Sequence, residues 1–185
     1  MTDHSALVAL LAERSAKRGE FTLASGKQSK YYVDARLTTM SPEGLSLIGP
    51  LGLSALRQSG WNVDAIGGLT LGADPISYAI SYASADSDRP LRAFTVRKEA
   101  KSHGTGKTIE GPFRERDRVA VIEDVITTGG SALRAIEAVR AANGLVAGVL
   151  ALVDREEGGR QAIEAAGIPV ISLVSAAQII QALEA

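Results

Sequence analysis

Apolar residues recur at Leu7, Leu10 and Leu11, three and four apart behind the possible caps Thr2 and Asp3, and predict an amphipathic helix ending near Gly19. Phe21-Thr22-Leu23 and Tyr31-Tyr32-Val33 flank the polar run Ser25-Gly26-Lys27-Gln28-Ser29, a pattern that predicts a hairpin with a longer loop. Ser41-Pro42 opens a second helix with Leu45, Ile48, Ala55 and Leu56 turned inward; Pro50 is expected to kink or interrupt it and Gly60 to end it. From there apolar runs alternate with helical patterns: Ala65 to Gly67, Pro75 to Tyr82, Leu91 to Val96 and Val119 to Ile122, then a helix with Leu133, Ile136 and Val139 inward. Val146 to Val153, an Ala- and Glu-rich helix, the short run Pro169 to Leu173 and a last helix after Ser175 complete the chain. Nearly uniform apolar strands separated by helices predict an α/β fold, with a mainly parallel sheet covered on both faces. Arg97 to Pro112 breaks the alternation. It is polar apart from Ile109 and carries Gly104, Gly106 and Gly111, which reads as a functional loop rather than a plain connection.

Composition narrows the function. The 185 residues, 45% hydrophobic and 22% charged, are expected to form a single domain over 1–185. Twenty basic against 21 acidic residues give a net charge of -1, without the basic field that non-specific nucleic-acid binding requires. The absence of cysteine excludes disulfides, thiolate-bound metals and a cysteine nucleophile, and suits a cytoplasmic protein. The start of the chain lacks a basic leader, and its longest apolar stretch, Leu145 to Val153, falls well short of the roughly 20 residues needed to span a bilayer. With only His4 and His103, a three-histidine metal site cannot be built, so any metal is expected to be a hard, oxygen-bound ion.

The chemistry concentrates in the run Arg118-Val119-Ala120-Val121-Ile122-Glu123-Asp124-Val125-Ile126-Thr127-Thr128-Gly129-Gly130-Ser131, followed directly by an amphipathic helix. A turn of small and hydroxylated residues entering a helix after a buried strand offers backbone N–H groups to a phosphate, helped by the helix dipole. Adjacent carboxylates would repel a phosphate, so Glu123 and Asp124 suit sugar hydroxyls or Mg²⁺. Either half alone is explained by a strand end and a helix cap; both in this order favour a phosphosugar site. In Arg97-Lys98-Glu99-Ala100-Lys101-Ser102-His103-Gly104, four potential cations fall within seven residues, enough to neutralise a pyrophosphate where a loop excludes water. Gly104-Thr105-Gly106-Lys107-Thr108 fails as a Walker loop, because Lys101 stands where its first glycine is required and Glu110-Gly111-Pro112 where its helix should begin. Gly67-Gly68-Leu69-Thr70-Leu71-Gly72 lacks dinucleotide spacing but can cradle a pyrophosphate with its backbone.

The acidic pair and its turn resemble the phosphoribosyl-pyrophosphate (PRPP) motif of the type I phosphoribosyltransferases. Arg97-Lys98-x-x-Lys101-x-His103-Gly104 resembles the catalytic loop of the orotate phosphoribosyltransferase branch. The likeness runs from about Phe21 to Arg155. It implies a type I core with a small N-terminal hood, mainly residues 1–40 with C-terminal contributions, and a mobile catalytic loop over about 98–109. It implies PRPP binding by Arg97, Lys98, Lys101, His103, Glu123, Asp124, Val125, Ile126, Thr127, Thr128, Gly129, Gly130, Ser131, Leu71 and Gly72, with Lys101, His103 and Asp124 catalytic. Orotate is then expected against Tyr32, Val33, Thr127 and Arg155, with Tyr31 and Tyr32 an aromatic pair over the base. Mg²⁺ is expected to travel with PRPP near Asp124, without a direct protein ligand. The chain departs from relatives at Glu123, where most carry Asp, and at Ala24 and Leu71, where a lysine is usual. The implied reaction makes orotidine 5′-monophosphate and pyrophosphate for pyrimidine synthesis, in a homodimer whose subunits share the loop. The alternatives are a phosphoribosyltransferase for another base and a non-catalytic regulator of the same fold.

Overall fold

The computed structural model describes residues 4–22, 28–99 and 108–184. Thr2 and Asp3, the expected caps, lie outside them; so do Ala24, Ser25, Gly26 and Lys27 of the hood and Lys101 and His103 of the loop. The order is α1 (Ser5–Ser15), β1 (Ala16–Thr22), β2 (Gln28–Val33), α2 (Arg36–Thr39), α3 (Pro42–Gln58), β3 (Ala65–Leu69), α4 (Ala73–Ala83), β4 (Arg92–Val96), β5 (Ile109–Glu110), β6 (Arg118–Ile126), α5 (Gly130–Ala141), β7 (Leu145–Asp154), α6 (Gly159–Ala165), β8 (Val170–Ser175) and α7 (Ala176–Glu184).

Six strands form one sheet in the order β5-β4-β3-β6-β7-β8, parallel except for β5. The alternation of strand side chains divides the core between its two faces. Ile66, Ala120, Ile122, Leu150 and Leu152 pack with Leu7, Leu11, Ile48 and Ile76 of α1, α3 and α4. Ala65, Val119, Val121, Val149 and Ala151 pack with Ala132, Ile136 and Val139 of α5 and Ile163 of α6. Burial on both faces explains why the strands read as continuous apolar runs, and the α/β expectation holds.

Three expectations are corrected. The first helix ends at Ser15 rather than near Gly19, because Ala16, Lys17 and Arg18 pair with Val33, Tyr32 and Tyr31 as β1, the polar residues extending the hairpin instead of the helix. The second helix is not interrupted at Pro50: Ser41 caps it by accepting from the Gly44 N–H at 3.1 Å, the proline is exposed, and buried Ile48, Gly49, Leu51 and Leu53 pin both sides of it. The polar connection after β4 is shorter than expected at its far end, since Ile109 and Glu110 pair with Val96 and Thr95 as β5. Ile109, its single apolar interruption, is where the chain returns to the sheet.

The connections settle where a ligand can sit. From β3 the chain crosses through α4 to β4 on one side, whereas from β6 it crosses through α5 to β7 on the other. Strands whose successors diverge leave a crevice beyond their carboxyl ends, the usual ligand position in open α/β sheets. Here β3 pairs with β6 as far as Gly67 and Val121, while β6 continues beside β7 to Ile126 and Asp154. A separate antiparallel pair, β1 and β2, is joined to α7 where the Tyr31 hydroxyl donates to Glu184 and Arg18 pairs with the same carboxylate at 3.1 Å. No helix among the described residues is long and apolar enough to cross a membrane.

Candidate active site

The crevice between β3 and β6 holds most of the described residues singled out from the sequence. Glu123 and Asp124 lie within β6 rather than beyond it, three and two residues before its end. Asp124 turns toward Gly72 at the start of α4, on the side of the sheet that α3 and α4 cover, whereas Glu123 lies within electrostatic reach of Arg134 on α5. Asp124 is braced by its own strand, its Oδ1 accepting the Val125 N–H at 2.9 Å. Its carboxyl lies against Gly72, where a Cβ would stand 2.4 Å from the Asp124 oxygen, so residue 72 must be glycine for the two to approach.

The Leu71-Gly72 turn thus forms one wall of the crevice. Its anchor is Asp74, which lies outside the motifs that the sequence singles out. Buried at the start of α4, Asp74 accepts from Thr70 Oγ1 at 2.7 Å and from Thr95 Oγ1 on β4 at 2.8 Å, and the Thr95 and Tyr78 hydroxyls are themselves bonded at 2.9 Å. An acidic residue in the first turn of a helix after a strand was the available signal. Leu71 itself is exposed, as a turn facing a ligand through its backbone allows.

On the other side Thr127, Thr128, Gly129, Gly130 and Ser131 carry the chain from β6 into α5. Gly129 adopts φ +82, and a Cβ there would stand 2.8 Å from the Gly159 carbonyl, so the turn requires glycine for both conformation and space. No side chain caps α5, leaving first-turn N–H groups to a ligand anion. Ile126 is buried, and Val125 is half-buried beside it. The turn nests against the segment after β7: the Arg155 N–H donates to the Ile126 carbonyl at 3.0 Å, which brings Arg155 beside the phosphate turn. Its guanidinium pairs with Glu157 at 2.9 Å, not with Asp154 or Glu156. Asp154 instead accepts from Arg160 Nε at 2.7 Å and the Glu156 N–H at 2.8 Å. Arg160 further donates to the Val170 carbonyl and Ser172 Oγ, locking β7, α6 and β8 together.

The hood meets the site unevenly. Tyr31 and Tyr32 project from opposite faces of β2, so the expected pair over a base is divided: Tyr31 is spent on Arg18 and Glu184, whereas Tyr32 stacks on Phe21 with centroids 5.5 Å apart. Val33 is buried in the core, so only its backbone can face a ligand. At the loop stem Arg97 donates its N–H to the Thr108 carbonyl at 2.9 Å and pairs with Glu110 at 3.6 Å, and Lys98 is exposed. A cavity of about 770 Å³ opens beneath this stem, lined by Arg97, Lys98, Thr108, Phe113 and Arg134.

Burial, and then the neighbouring Asp124 charge, push the Glu123 carboxyl up to about 8 from its ordinary 4.5; Arg134 on α5 acts in the opposite direction. Folding therefore favours the protonated form. This contribution is complete below pH 4.5 and declines as pH rises toward about 8, because the unfolded chain has already released the proton. Glu123→Gln is expected to flatten the dependence: between pH 5 and 8 the parent loses stability to urea, by up to a few kcal/mol, while the variant changes far less. Parallel declines would place the titrating group elsewhere.

No known family model matches the chain. It is 48% identical over 183 residues to the orotate phosphoribosyltransferase of Aquifex aeolicus, covering 97% of this chain and 99% of that one. Among solved structures it is similar to the orotate phosphoribosyltransferase of Mycobacterium tuberculosis H37Rv. The complex with Fe(III) dicitrate matches with a TM-score of 0.81 at 42% identity, covering 96% of this chain and 99% of that chain. The complex with PRPP matches at 0.77 and 39%, with the same coverage. Identity at this level, spread over nearly the whole of both chains, shows that the chain belongs to the orotate phosphoribosyltransferase family.

Proposed function

We propose that the chain transfers the phosphoribosyl group of PRPP to orotate, giving orotidine 5′-monophosphate and pyrophosphate in the formation of pyrimidine nucleotides. The observation that carries this reading is the approach of Asp124 to Gly72 at the switch point, beside an uncapped helix start. One crevice thereby offers carboxylates for ribose hydroxyls, backbone N–H groups of Thr127 to Ser131 for the 5-phosphate and the Leu71-Gly72 backbone for the pyrophosphate. A bond forms between orotate N1, which gives up its proton to solvent or to the departing pyrophosphate, and C1 of the ribose as the bond from C1 to the pyrophosphate oxygen breaks. Positive charge builds on the ribose, and negative charge on the leaving group. Asp124 faces the first; Arg97 and Lys98, with Lys101 and His103 from the loop, supply cations for the second. Arg155 and Tyr32 address the base, with Thr127 at the junction of base and phosphate.

Asp124 would face Mg²⁺ brought in with PRPP, a hard ion held mainly by the oxygens of PRPP that would neutralise pyrophosphate charge. A cytoplasmic homodimer, in which the loop of one subunit completes the site of the other, belongs to the same proposal. The cysteine-free composition supports the compartment, and the placement of the loop stem at the sheet edge supports the sharing.

Incubation with PRPP, Mg²⁺ and a panel of bases should release pyrophosphate with orotate alone. Release with adenine or hypoxanthine instead would assign another base, and none with any base would leave a PRPP-binding regulator. Loop sharing has its own test. Lys101→Ala and Asp124→Asn should each abolish most turnover, yet mixed heterodimers should recover up to about half the parental activity, because both defects then fall in one site. Confirmed subunit exchange without recovery would assign each loop to its own subunit.

A further inference from the structure

A cation that the sequence reading passed over stands between the hood and the crevice. Arg36 lies on α2, immediately after the β2 strand that carries Tyr32. Its place is set from below. The Ser41 hydroxyl donates to the Thr38 carbonyl at 2.9 Å, and a Cβ at Gly44 would stand only 1.9 Å from the same carbonyl, so α2 is pressed onto the first turn of α3. The Ser15 and Thr38 hydroxyls, bonded at 2.8 Å, hold it to the end of α1. Since α3 runs back along the sheet before β3, its first turn lies at the carboxyl ends of the strands. The Asp124 carboxyl lies against Gly72 at the start of α4, on this same side of the sheet. The Arg36 guanidinium accordingly lies within electrostatic reach of both Tyr32 and Asp124.

The side chain is also held in one orientation. Nε and Nη2 donate to the two oxygens of Asp34 at 2.8 and 2.9 Å, and the Arg36 N–H reaches Asp34 Oδ1 at 3.1 Å. Asp34 is anchored in turn by its own N–H, which donates to the Ser15 carbonyl at 2.9 Å. A half-exposed pair two residues apart contributes little to folding. It does aim a planar cation whose Nη1 lies outside the fork and whose remaining donors suit a second carboxylate.

The chemistry of the base selects what that cation meets. Orotate carries its carboxylate on the carbon next to N1, the atom that joins C1 of the ribose. A cation between the residue that stacks on the base and the one that faces the ribose is placed for that carboxylate. Arg155 approaches from the β7 side and already holds Glu157. We propose that Arg36, oriented by Asp34, binds the carboxylate of the base and so sets the preference for a carboxylated pyrimidine.

This inference rests on the proposed transfer to orotate, and steady-state kinetics with direct binding separate the two. In Arg36→Gln the KM for orotate should rise tenfold or more while that for PRPP stays within twofold. Arg36→Lys, which keeps the charge but not the fork, should fall between this variant and the parent. Asp34→Asn should shift the KM for orotate in the same direction by a smaller factor. Calorimetric binding of orotate should weaken in parallel, with thermal melting unchanged. An unaltered KM for orotate, or equal loss toward orotate and PRPP, would overturn the role of Arg36 while leaving the transfer intact. A folded parent that neither binds orotate nor transfers to it would overturn both.

Discussion

Two crossovers that leave neighbouring strands in opposite directions force a gap between β3 and β6, and the contact of the Asp124 carboxyl with Gly72 determines what that gap can hold. Any side chain at residue 72 would displace the carboxylate. Any retreat of Asp124 would separate the wall that faces the ribose from the wall that faces the pyrophosphate. The rest of the site is arranged around this approach: the phosphate turn starts three residues later, where the same strand ends, and Tyr32 and Arg36 lie within electrostatic reach of one another and Arg36 of Asp124.

Each wall has a buried acid as its support, and neither acid is a ligand candidate. Asp74 gathers the hydroxyls of Thr70 and Thr95, fixing the start of α4 to β4. Asp154 and Arg160 bind β7 to α6 and β8, and so hold the segment on which Arg155 and the Gly159 carbonyl meet the phosphate turn. Fully partnered buried charges of this kind add little net stability over apolar packing but fix geometry well. The groups around the crevice differ: burial pushes the Glu123 carboxyl up to about 8, Leu71 and Lys98 are exposed, and the first turn of α5 is uncapped. Rigid, internally bonded supports beneath exposed and uncapped groups are what a site for a highly charged phosphosugar requires.

The sheet was legible because its strands are buried on both faces, so that runs such as Val119 to Ile122 and Val146 to Val153 stand out at any register. The acidic pair and its turn were legible because phosphate chemistry needs local backbone geometry. Polar segments ordered by distant partners were not. Lys17 and Arg18 belong to a strand only because Tyr32 and Tyr31 lie opposite them, and the two residues of β5 gain their identity from β4. The division of Tyr31 from Tyr32 follows from strand alternation, yet it became visible only when Glu184, at the far end of the chain, supplied the partner. Arg36 and Asp74 lie beside motif residues, Tyr32 and Val33 for the one and Leu71 and Gly72 for the other, yet their own roles depend on distant partners: the hydroxyl of Thr95 for Asp74, and the approach of Asp124 for Arg36.

The most direct test of the central claim is the kinetics of Gly72→Ala, because the added methyl falls where the Asp124 carboxyl now stands. If the two walls form one surface for PRPP, the variant should fold with parental melting behaviour. The KM for PRPP should rise tenfold or more and turnover should fall, with orotate binding within twofold of the parent. A well-folded Gly72→Ala protein that uses PRPP as the parent does would show that the contact between Asp124 and Gly72 does not organise the site.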